Sequence, residues 1–170
     1  MGTHAQASEQ TTPQTQFLRG GLPSDVLFVV EETLPGTFLQ SEEAQLLFKI
    51  LKPMNLDPEQ TEVFVLPTAS SPLIMGSEFE KNIPILQSLN PQVVIAMGPR
   101  VAEAILVTDF GAVEPALGWE RVRGQIQVRF GLKILATEGL RQMLERPESK
   151  KLAWDELKTA LREVGTKESV

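Results

Sequence analysis

The chain of 170 residues contains no cysteine, which excludes disulfides, thiolate nucleophiles, sulfur-based zinc sites and cysteine-ligated iron–sulfur clusters. Histidine is nearly as scarce. The one histidine, His4, lies in a polar N-terminal stretch, so a Ser-His-Asp triad or a histidine metal site inside the domain is not available. No apolar run approaches the roughly 20 residues that a membrane span needs, and the amino terminus lacks the basic-then-apolar order of a signal peptide. Cations are outnumbered as well, 16 Lys and Arg against 22 Asp and Glu for a net charge of −6, which disfavours a protein that coats nucleic acid through clustered positive charge. The expectation is a soluble protein of the reducing cytoplasm that uses no metal and no cofactor.

What is present is enough apolar residue, 42% of the chain, to bury one sizeable core, and this length most often makes one domain. The first 20 or so residues are rich in Gln, Thr and Ser with only Phe17 and Leu18 as apolar anchors, and residues 1–22 are read as a flexible arm. Phe17, Leu18 and Arg19 then read as a short peptide that orders on a protein partner, against the plainer alternative of an unstructured tail. Residues 23–165 are assigned to a single α/β domain and 166–170 to a tail.

Within that domain, "DVLFVVE" (25–31), "EVFVLP" (62–67), "PQVVIAM" (91–97) and "LKILAT" (132–137) are short apolar runs, suited to strands buried on both faces. Between the first two, Ser41 can cap a helix whose first turn holds Glu42 and Glu43 and whose buried face carries Ala44, Leu47, Phe48 and Leu51, stopped by Pro53. "TASSPLIMGS" (68–77) reads as a long loop, 78–90 as a helix weakened by Pro84, and Pro99 opens a further helix at its first position. Gly124 and Gly131 punctuate an alternating segment, "QIQVRF" (125–130), that suggests an excursion or hairpin. The last helix buries Ala153, Leu157, Ala160, Leu161 and Val164, with Gly165 placed as its C-cap. Strands alternating with helices predict a three-layer α/β/α fold on a mainly parallel sheet of about four strands.

Such sheets bind ligands beyond the carboxyl ends of their strands. Here those ends present Glu31, Glu32, Pro67, Thr68, Gly98, Pro99, Arg100, Thr137 and Glu138, the candidate pocket. Glu31 or Glu32 would serve as a general base if shielded, or else forms an ordinary solvated strand end. The Gly98-Pro99-Arg100 turn has neither the phosphate-loop nor the dinucleotide spacing, and Pro99 removes an N–H that an anion would need. Arg121, Arg123, Arg129 and Lys133 form a local basic cluster. If they share a face, they would contact phosphate or an acidic partner.

The order of the segments resembles the uracil-DNA glycosylase superfamily from residue 25 to 163. "VVEETLPG", "LDPEQTEVFVLPTA", "LNPQVVIAMGPRVAEAIL", "RVRG" and "ILATEGLRQMLERPESKKLAWDELKTAL" follow one another as its blocks do, the last two carrying most of the match. In active members the loop before the terminal helix begins His-Pro; here Ala136-Thr137-Glu138-Gly139 stands there. The base-reading asparagine after the second strand is replaced by Pro67-Thr68, and the water-positioning acid or amide has no counterpart around Gly36 to Phe38. Loss of one oxyanion partner costs about 10²- to 10³-fold in rate, and several roles are vacant together. The resemblance therefore implies a catalytically silent relative, akin to the psi subunits of bacterial DNA polymerase III, which have this fold and bind other replication proteins. It implies a protein partner from DNA replication or repair, with two rivals: a divergent glycosylase or nucleotide-directed hydrolase, and a DNA-binding module using the basic cluster. The oligomeric state is left open.

Overall fold

The computed structural model describes residues 16–32, 34, 36–67, 72–106 and 115–168. His4, Thr68 and the first 15 residues of the expected arm lie outside them. Five strands form one sheet: β1 (Val26–Glu32), β2 (Val63–Pro67), β3 (Val93–Met97), β4 (Ile126–Arg129) and β5 (Leu132–Thr137), in the order β2-β1-β3-β5-β4. The four strands read from the apolar runs are mutually parallel, and β4 joins the edge antiparallel to β5. The additional strand is the alternating "QIQVRF" segment, where Ile126, Gln127 and Arg129 are half-buried and Val128 is exposed.

The helices are α1 (Glu42–Leu51), α2 (Pro72–Lys81), α3 (Ile83–Leu89), α4 (Pro99–Leu106), α5 (Pro115–Val122), α6 (Leu140–Glu145) and α7 (Ser149–Glu168). Alternation along the strands divides the core in two. Leu27 and Val29 of β1 with Val94 and Ala96 of β3 pack beneath α2, α3 and α4. Val26, Phe28 and Val30 with Val93, Ile95 and Met97 pack beneath α1, α6 and α7. Both sheet faces are thus dry, which is why these strands are apolar throughout rather than alternating. The result is a three-layer α/β/α fold on a mostly parallel sheet.

Three local expectations are corrected. Residues 72–77, read as loop, belong to α2. Its Gly76 allows close packing against α4, since a Cβ there would lie 3.1 Å from the Ala104 carbonyl oxygen. The helix expected over 78–90 is two helices that meet at Asn82, with Pro84 in the first turn of α3, where proline is tolerated. Finally, α7 runs through Gly165 to Glu168; one glycine costs a helix about 1 kcal/mol, which this 20-residue helix absorbs.

The structure also corrects the reading of Phe17, Leu18 and Arg19 as free-standing. Phe17 is 3% exposed and forms an antiparallel bridge with Phe64 of β2, their rings 4.8 Å apart. The Leu18 N–H donates to the Val63 carbonyl at 2.9 Å. Glu62, fully buried, then fastens the segment: its carboxylate accepts from the backbone N–H groups of Arg19, Gly21, Leu22 and Val63. A burial cost that would be large for a bare carboxylate is offset by these four donors.

Candidate functional site

The chain leaves β1 toward β2 on one side of the sheet and leaves β3 toward β5 on the other, so the strand order reverses between β1 and β3. At that reversal the two connections diverge and open a crevice beyond the strand ends. A cleft of about 270 Å³ lies there, lined by Glu31, Glu43, Met97, Arg100, Arg141 and Gln142 among others. Gly98, at φ +107°, closes its base, where a Cβ would lie 3.4 Å from the Gly139 Cα and 3.6 Å from Glu31 Oε2. Those are ordinary contact distances, so the positive φ rather than lack of room favours glycine there.

The charges around this cleft are matched within the chain. Arg100 Nε lies 3.5 Å from Glu31 Oε1, an ion pair rather than an aligned hydrogen bond, since that oxygen has no hydrogen-bond partner. Arg141 is bonded to Glu43, with Nη2 at 2.7 Å and Nε at 2.9 Å from the same oxygen. These are partly exposed pairs, each worth about 0–1 kcal/mol. Their effect is chiefly to leave the cleft without an excess of either sign.

Of the nine residues expected to form the pocket, Glu31 and Arg100 line this cleft and Gly98 underlies it. Pro99 opens α4 and makes no lining. Glu32 lines an adjoining depression with Glu31, Glu43 and Arg141, and its carboxylate accepts from the N–H groups of Gly36 at 2.9 Å and Phe38 at 3.0 Å, holding the loop after β1. With Pro67 it lines a separate groove of about 340 Å³, shared with Leu18, Phe38 and Leu39. Thr137 and Glu138 are buried and belong to another cluster.

That cluster ties the root of β4 to α7. Arg123 donates to Glu156 through Nε at 2.7 Å and Nη2 at 3.1 Å, Thr137 Oγ1 donates to Glu156 at 2.6 Å, and Glu138 lies 3.8 Å from Arg123 Nη1. The side chains of Arg123, Glu138 and Glu156 are each 8% exposed. Trp119 of α5 lies beside the guanidinium, 5.4 Å from ring centroid to Cζ. Burial works to lower the Arg123 pKa, but the hydrogen bond and charge of Glu156, with the charges of Glu138 and Glu120, outweigh it and hold the guanidinium above its ordinary value. Gly124, at φ +77°, lets this happen: a Cβ there would sit 3.1 Å from Glu156 Cγ.

The expected basic cluster is therefore divided. Arg123 is buried, Lys133 bonds Glu163 at 3.0 Å, and only Arg121 and Arg129 are without a carboxylate partner among the described residues. Sequence reasoning missed Glu43, Arg141, Gln142, Glu62 and Glu156. Glu42 and Glu43 were read only as first-turn charges, and nothing local distinguishes Glu43, which faces Arg141 98 positions away.

No group of His, Asp or Glu among the described residues is arranged to hold a metal ion, and no described helix is long and apolar enough to cross a membrane. No protein-family model and no curated protein matches the chain.

Proposed function

We propose that the chain is a non-catalytic, uracil-DNA glycosylase-like protein of the cytoplasm that acts through protein contacts in DNA replication or repair, as psi-type accessory subunits do. The observation that carries this reading is the fate of Thr137 and Glu138. They occupy the stretch where active relatives place His-Pro, and here both side chains are consumed by Arg123 and Glu156 in the interior. A side chain committed to a buried ion pair cannot also stabilise charge developing on a substrate at the strand ends. The cleft's own charges, paired as Glu31–Arg100 and Glu43–Arg141, add no unmatched group to replace them. Fold alone assigns no activity.

Isolation of the native chain with its bound proteins, followed by their identification, tests the reading. A replication or repair component is expected. A second reading, a divergent hydrolase, rests on Glu31, which lines the cleft and whose buried Oε1 has no hydrogen-bond partner. A uracil-release assay on single- and double-stranded DNA separates the two. No release is expected from the wild-type chain, and release that disappears in Glu31→Gln would replace the first reading with the second.

A further inference from the structure

The sheet's two edges are treated differently. The outer side of β2 is covered by Phe17 and Leu18, whereas β4 pairs with β5 alone among the described strands. An antiparallel ladder directs the N–H and C=O of every second residue of an end strand outward. Short length and a basic residue are the usual devices against unwanted pairing at such an edge, and β4 has both. It also has features that protection does not need. Val128, in its middle, is 71% exposed. Arg129 stacks over Phe130, 4.6 Å from ring centroid to Cζ, and its buried Nε has no hydrogen-bond acceptor.

The hairpin tip is also strained. Phe130 and Gly131 have φ of 56° and 72°, the pair of positive values that a two-residue hairpin turn requires and that a bulky aromatic adopts only at a cost. Phe130 is held there by packing against Phe79 and by Gln87, whose side-chain amide donates to its carbonyl at 2.8 Å. The turn leads back from Val128 and Arg129, which lie on an edge that no other described strand covers. No acidic residue occurs between Arg121 and Thr137, so a second copy of β4 would offer Arg129 no carboxylate from this segment.

We propose that β4 is a docking strand for an extended acidic segment of a partner protein, which adds to the sheet edge, sets a carboxylate against Arg129 and lays an aliphatic side chain on Val128. This rests on the protein-contact reading above and names its surface. The test uses the full chain, isotope-labelled for amide NMR, with a synthetic peptide of alternating Glu and Val as probe. The expected result is chemical-shift change confined to residues 125–133 and the turn they form. A peptide N-methylated at alternate positions on its pairing side loses binding, and Arg129→Glu weakens the parent peptide by about fivefold or more.

Equal binding of a Lys-Val counterpart, shifts centred on Glu31 and Arg100, or no shift at millimolar peptide overturns the proposal. So does displacement of the peptide by an oligonucleotide that shifts the same amides more strongly, or self-association of the chain that Arg129→Glu abolishes. The two readings fail separately. A replication partner whose binding is untouched by Arg129→Glu removes the edge and leaves the protein-contact function; peptide binding at β4 in a chain that releases uracil does the reverse.

Discussion

The β2 and β4 edges solve the same problem with different chemistry. At β2 the chain covers its own edge, driving Phe17 into the core and fastening the backbone to a buried carboxylate. At β4 no described strand covers the edge, and what is fixed is its root, through the Arg123–Glu156 pair, and its tip, through Phe130. A covered edge gains stability from apolar burial. An open one leaves backbone donors and acceptors for something else, and stands only if its ends are anchored.

This contrast predicts a descending series of effects. Deleting residues 1–22 removes the whole cover of β2 and should cost about 4 kcal/mol or more, read as a shift of the urea midpoint. An unchanged midpoint would mean that Phe17 contributes nothing to the fold. Removing Arg123, as in Arg123→Ala, strands two buried carboxylates and should cost about 3–5 kcal/mol. Amide exchange should show that loss as early opening of β4 and β5. Glu62→Ala deprives four backbone N–H groups of their acceptor, for about 2–3 kcal/mol. Glu62→Gln, which keeps one oxygen, should cost less. Val128→Thr, by contrast, should change stability by less than about 0.5 kcal/mol, so a large effect at this exposed position would show that the β4 edge is covered after all.

The smallest expected effect concerns pH. The pKa of Arg123 is raised by its partners, so its stabilisation is complete below the unfolded value and is lost only as pH rises through the still higher folded one. Between about pH 7 and 10 the stability gap between wild type and Arg123→Ala should therefore be flat. A gap that closes within that window would show that the pair is held by a group other than the guanidinium.

The layers of the fold were legible wherever one physical requirement dominated. Strands dry on both faces must be apolar throughout, and β1, β2, β3 and β5 announced themselves in that way. α1 and α4 were marked by Ser41 and Pro99 at their starts. α2 was obscured because Pro72 and Gly76 are loop formers in most settings; here one opens a helix and the other makes room for a neighbour. The site was half legible. Glu31 and Arg100 could be placed because strand ends locate them, but Glu43 and Arg141 reach the cleft from helices whose position depends on packing. Thr137 and Glu138 were placed at the right end of the right strand. Their inward orientation depends on Arg123 and Glu156, which are 33 positions apart, and no local pattern encodes that meeting.

The grip of Glu62 on the start of the domain has a consequence for synthesis. Arg19 leaves the ribosome before the carboxylate that secures it, which is made 43 positions later. Until β2 emerges, this segment has nothing to hold, and Phe17 is an aromatic in search of a seat. This segment is thus made well before the residue that fastens it, and the window between the two is when a chaperone or a partner could reach it.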